Sequence, residues 1–195
     1  MAEKDGGLNK FVYILEIVYA ILLSWGFARV AERFYARSIF YWLCMLVSLF
    51  TLIRFFFAPS HNIGVVVKLI KNRSNAARFV ILFDVSLLIA HSFVFFRMCY
   101  ALGDMRYAFF YRDFSILLIM NAIWLATITF RQRRAKISPH DKHVFWRLNN
   151  LICGASILGL YFFKADLGLM FVVAIVNCLL DLWTCAPYYL ESLET

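Results

Sequence analysis

KFVYILEIVYAILLS, residues 10–24, decides the fold, because it is an apolar helix carrying one acid, Glu16, where a membrane would surround it. A second copy, RFVILFDVSLLIAHS, runs from Arg78 to Ser92. Aligned without gaps, the two share Phe, Val, Ile and Ser at fixed offsets. Both start on a basic residue and place an acid six positions later, Glu16 in the first and Asp84 in the second. A third stretch, KHVFWRLNNLICGAS from Lys142 to Ser156, keeps the basic start, the Val and the final Ser, with Leu148 in the acid's place. Two origins fit this pattern: an internal repeat of membrane helices, or the compositional likeness that bilayer-spanning helices share.

Working outward, the whole chain has the same character. Hydrophobic residues make up 63% of its 195 positions and charged residues 16%. Soluble domains average roughly 45–50% apolar and about 25% charged. With a mean hydropathy of +0.73, this composition predicts an integral membrane protein. The polar opening MAEKDGGLNK leads into an apolar run without a small-residue cleavage site, so the first helix is expected to stay as an anchor. The net charge of +8 comes from basic residues in short segments between apolar runs. Membrane insertion and anionic headgroups select that placement, and no nucleic-acid partner is expected. Cys44, Cys99, Cys153, Cys178 and Cys185 show neither CxxC nor metal-ligand spacing and read as small buried hydrophobes.

Six apolar runs approach the ~20 residues that a helix needs to cross about 30 Å of hydrocarbon. They lie near 11–29, 38–58, 78–100, 112–130, 144–163 and 166–188. Short linkers make them three antiparallel hairpins, giving an all-α bundle of about six transmembrane helices in a single polytopic domain with no soluble domain. In the stretch 59–77, Pro59 and Gly64 are expected to break the helix before an amphipathic surface segment containing Val66, Val67, Leu69 and Ile70 beside Lys68 and Lys71. With six spans, the side holding both termini carries 13 Lys and Arg against 7 on the other, so both termini are predicted to be cytoplasmic. The membrane is expected to be a bacterial inner (plasma) membrane. Aromatic clusters such as FVFFRMCY and RYAFFYRDF sit at run ends, where such rings favour the headgroup level.

Three acids fall inside the spans: Glu16, Asp84 and Asp181. At ~1.5 Å rise per residue, all three lie roughly 9–10 Å in from the cytoplasmic boundary. Each unpaired carboxylate would cost on the order of 2.5–3.5 kcal/mol there, so each needs a basic partner, a cation, a proton or water. Arg54 and Arg147 stand at the same level and are the expected charge partners. Such pairs can fix helix register, or the carboxylates can line a cation or proton path, or they can snorkel to the interface. His91 lies two turns from Asp84 on one stripe, as a relay would require. Asn177 neighbours Asp181 across one helical turn, while Asn121, Asn149 and Asn150 are further amides able to join helices.

No serine-nucleophile elbow, Walker loop, HExxH, haem-attachment motif, potassium-filter sequence or arginine ladder occurs. No catalytic residue, metal ligand or cofactor is therefore expected. The run from Glu16 to Ser24 resembles the first helix of the lysosomal potassium channels and their bacterial relatives. That family's motif places Phe-Ser-Asp where this chain has Ile14, Leu15 and Glu16, so its function is not carried over. Two functional expectations result. One is a small homo-oligomeric cation or proton channel or transporter, with Glu16, Asp84, His91, Asn177 and Asp181 along its pathway. The other is a non-transporting sensor or adaptor, for example in a bacterial stress or defence system, recruiting a cytoplasmic protein through basic loops 62–78 and 131–143, the latter containing Arg131, Arg133, Arg134 and Lys136.

Overall fold

The computed structural model of the protein describes residues 17, 20–32, 38–70, 75–134 and 141–191, with side chains over 17, 20–32, 38–54, 83–131 and 144–184. Six helices occupy these residues: α1 (Ala20–Ala31), α2 (Ile39–Ile70), α3 (Asn75–Gly103), α4 (Tyr107–Arg134), α5 (Asp141–Phe162) and α6 (Leu167–Glu191). The fold is all-α. Within α3, α4 and α6, the stretches Phe83–Gly103, Tyr107–Arg131 and Leu167–Thr184 are long and apolar enough to cross a membrane. Their 21, 25 and 18 residues reach roughly 27–38 Å at ~1.5 Å per residue, matching a hydrocarbon core of about 30 Å. They mark the chain as an integral membrane protein. The Ala20–Ala31 and Ile39–Arg54 stretches are apolar but shorter.

Two tight hairpins set the order of the bundle. At the end of α3 the Arg106 N–H donates to the Ala101 carbonyl at 2.8 Å and the Met105 N–H to Leu102 at 2.9 Å. At the end of α5 the same pair recurs, with Ala165 donating to Leu160 at 2.9 Å and Lys164 to Tyr161 at 3.1 Å. Both are left-handed helix stops, and both use a non-glycine residue at the left-handed position, Met105 (φ 57°) and Lys164 (φ 51°). Asp166 then caps α6, its carboxylate accepting the Gly168 N–H at 2.7 Å.

Helix α4 is the centre of the bundle. It packs against α3 and α5 and also touches α2 and α6, while α6 closes back onto α5 and α2. Phe95, Met98 and Leu102 of α3 meet Phe110, Phe114, Leu117 and Leu118 of α4, with Ile157, Met170 and Ala174 completing the core. The approach of α5 to α4 depends on Gly154. A β carbon there would lie 3.0 Å from Ile119, 3.1 Å from the Ser115 carbonyl and 3.2 Å from Leu118. The aromatic clusters divide between core and surface. Phe110 and Tyr111 are fully buried, whereas Phe163 and Trp183 are each 87% exposed and free to meet lipid.

Three sequence expectations need correction. Helix α2 runs unbroken through Pro59 and Gly64 to Ile70. One proline removes one backbone donor and one glycine costs about 1 kcal/mol, penalties that a 32-residue helix can absorb while the rest of its hydrogen-bond ladder is kept. Consequently much of 62–78 is helix rather than loop, and only 71–74 lies outside the described residues. The 131–143 segment is helical at both ends, where 131–134 end α4 and 141–143 begin α5, and 135–140 lie outside the described residues.

Candidate functional site

Three buried stripes converge between α2, α5 and α6, and each turns from apolar to polar toward the same place. On α2 the stripe passes from Tyr41, Cys44 and Val47 to Ser48, Thr51 and Arg54; on α6 it passes from Met170 and Ala174 to Asn177 and Asp181. On α5 it passes from Ile157 and Cys153 back to Asn150 and Asn149. The three-to-four-residue spacing of each set puts its members on one helix face. Their polar ends meet around Arg54.

The guanidinium of Arg54 is engaged by all three of its nitrogens. Nε pairs with Asp181 Oδ2 at 2.6 Å, with side chains only 2% and 0% exposed. Nη1 donates to Asn177 Oδ1 and Nη2 to Asn150 Oδ1, both at 2.7 Å. The amides then tie to one another, as Asn177 Nδ2 donates to Asn150 Oδ1 at 3.2 Å and Asn149 Nδ2 donates to the Asn177 carbonyl at 3.1 Å. One cation and one anion are thus neutralised inside the bundle, and the planar fork of arginine explains why three acceptors can surround it.

A second cluster joins α3 to α4. Arg131 Nη1 and Nη2 donate to the two carboxylate oxygens of Asp84, each at 2.7 Å, and Trp124 Nε1 donates to Asp84 Oδ1 at 3.1 Å. Arg131 also reaches Thr127, donating to its hydroxyl at 3.1 Å and to its carbonyl at 3.2 Å. His91 is buried with its ring 6.3 Å from that of Trp124. Its Nδ1 lies 2.6 Å from the Leu87 carbonyl, which can only accept, so the proton of this contact sits on Nδ1. Asp84, Trp124 and His91 therefore form a chain of neighbours along α3 and α4.

The structure brings Arg54 together with Asp181 and Asn177, and Asp84 together with Arg131 rather than with Arg54 or Arg147. Arg147 pairs with none of the described acids. Arg133 and Arg134 lie in the last turn of α4, their side chains outside the described residues, as Glu16 and Lys136 are entirely. Four cysteines, Cys44, Cys99, Cys153 and Cys178, are buried free thiols. Sequence reasoning passed over Asp113, which is almost fully buried and accepts from Arg112 Nε at 2.9 Å and Arg97 Nη2 at 3.3 Å. The signal was the Arg112–Asp113 dipeptide inside RYAFFYRDF, read there only for its rings.

Chemically, both described mid-helix acids already hold a cation, and it is an arginine. A metal ion or proton would have to compete with a bidentate fork at Asp84 and with a desolvated pair at Asp181. Comparison with protein-family models, with curated proteins and with solved structures finds no match.

Proposed function

We propose that the chain is a non-conducting, multi-pass membrane adaptor or sensor. In this reading it crosses the membrane six times with both termini in the cytoplasm, its intramembrane charges hold the helices in register, and it carries out no catalytic step. One observation supports this above others: Asp84 is held by both nitrogens of the Arg131 fork and by Trp124, and Asp181 pairs with the buried Arg54, so a passing cation would have to displace an arginine at either carboxylate. The cytoplasmic partner would meet the basic end of α4 and the segment after it, at Arg133, Arg134 and Lys136, because Arg131 is committed to Asp84. A homo-oligomer in a bacterial inner membrane suits a chain of this size with so many lipid-facing apolar residues.

A second reading, a proton or cation conduit, draws support from the chain of His91, Trp124, Asp84 and Arg131 along neighbouring helices. Ion flux through purified protein in liposomes separates the two. Under potassium, sodium and proton gradients in turn, the adaptor reading expects flux no greater than that of protein-free vesicles. Flux that Asp84→Asn changes while the oligomeric state stays intact would establish the conduit instead.

A further inference from the structure

The α3–α4 hairpin end carries an open cavity of about 360 Å³ whose lining includes Arg97, Arg106 and Arg112 with the acids Asp104 and Asp113. The charges do not cancel locally. Asp104 accepts from Arg29 of α1 at 2.9 Å, and Arg29 also pairs with Glu32, so Arg29 and the three lining arginines face three acids and one positive charge is left over. Asp113 in turn receives Arg112 and Arg97 on a single oxygen, Oδ1. Arg106 is exposed and pairs with none of the described acids. Each guanidinium presents five N–H donors in a planar fork, so Arg97 and Arg112 keep donors in reserve after serving Asp113.

The arrangement is also held in place. The Arg112 guanidinium stacks 4.7 Å over the Phe109 ring and 5.9 Å over that of Tyr161, which limits the freedom it would lose on binding. Arg106 immediately precedes α4, whose first N–H groups add positive potential at the same end. The cavity lies where the membrane-crossing stretches Phe83–Gly103 and Tyr107–Arg131 end. That is the depth of lipid headgroups, and the half-exposed rings of Tyr100 and Phe109 line it there.

We propose that this cavity binds a phosphate-bearing anion between Arg97, Arg106 and Arg112. Two sources supply that chemistry, an anionic lipid headgroup and a free phosphate or pyrophosphate. The test titrates the full-length protein, purified in neutral detergent, with phosphatidylglycerol, phosphatidylcholine or inorganic pyrophosphate, and counts bound molecules by native mass spectrometry. Phosphatidylglycerol retained at least tenfold more tightly than phosphatidylcholine, and not displaced by pyrophosphate, identifies the headgroup; saturable pyrophosphate binding, or its displacement of the lipid, identifies free phosphate. In either case Arg106→Gln and Arg97→Gln should each weaken binding by about tenfold, the loss of one charge-assisted contact. Lys164→Gln, at the neighbouring α5–α6 turn, should leave it unchanged. Both Arg97 and Arg106 reach solvent, so their variants should fold. The proposal is overturned if neither ligand binds better than phosphatidylcholine, if both arginine variants bind as well as the parent, or if Lys164→Gln weakens binding as much as they do.

Discussion

Asp84 and Asp181 are both held by arginine, yet in settings that differ in access to water. Asp181 and Arg54 are 0% and 2% exposed, whereas Asp84 and Arg131 are 10% and 26% exposed. Removing the acid strands its arginine in both cases, but only Arg131 can turn toward solvent or the headgroup layer. Asp181→Asn is therefore expected to lose about 3–5 kcal/mol, and Asp84→Asn about 1–2 kcal/mol. Thermal unfolding in detergent checks the order, and equal losses would show that burial does not separate the two sites. That Arg54 would meet an intramembrane acid was legible in the sequence, since charges within apolar runs are few and each needs a partner, but which of the three acids it meets was not. Arg131 was not, because it opens the basic series RQRRAK and was counted with the loop. Its commitment to Asp84 depends on α4 continuing one turn beyond its apolar run. Asp113 escaped for a related reason: at the end of a span, a carboxylate beside an arginine looks like ordinary interface chemistry.

Helix existence was readable from apolar run length, but helix ends were not. Local propensity predicts a stop at Pro59, whereas α2 continues to Ile70, because one missing donor does not undo the rest of a 32-residue ladder. Helix contacts depend on details that periodicity does not carry. Gly154 is one residue in an unremarkable run, yet α5 lies against the Ser115 carbonyl and the side chains of Ile119 and Leu118 only because it has no β carbon. Gly154→Val should therefore force α4 and α5 apart and lose about 1–3 kcal/mol, the usual penalty for overpacking. Gly159 has nothing within 4 Å of a β carbon at its position. Gly159→Ala should leave stability unchanged or raise it by up to about 1 kcal/mol through better helix propensity. Melting curves of the two variants, side by side, would test whether the close crossing or merely the loss of glycine matters.

At the scale of the whole molecule, the Arg54 cluster links elements far apart in the chain, 127 positions separating Arg54 from Asp181. It bonds α2 to both α5 and α6, and α4 supports all three from the centre. The tight α3–α4 and α5–α6 turns were legible as short linkers; the closure of α6 onto α2 was not, because it depends on which polar stripes face inward. On this account the buried charges are a lock that specifies the bundle. Buried pairs add little net stability, but half a pair is strongly destabilising. The most direct measurement is a double-mutant cycle on thermal unfolding, with Arg54→Met, Asp181→Leu and both together, at unchanged oligomeric state. The account predicts that each single variant melts roughly 6–20 °C below the parent, the equivalent of about 3–5 kcal/mol, and that the double variant recovers most of that loss. Single variants that melt with the parent, or a double variant whose loss is the sum of the two, would contradict it.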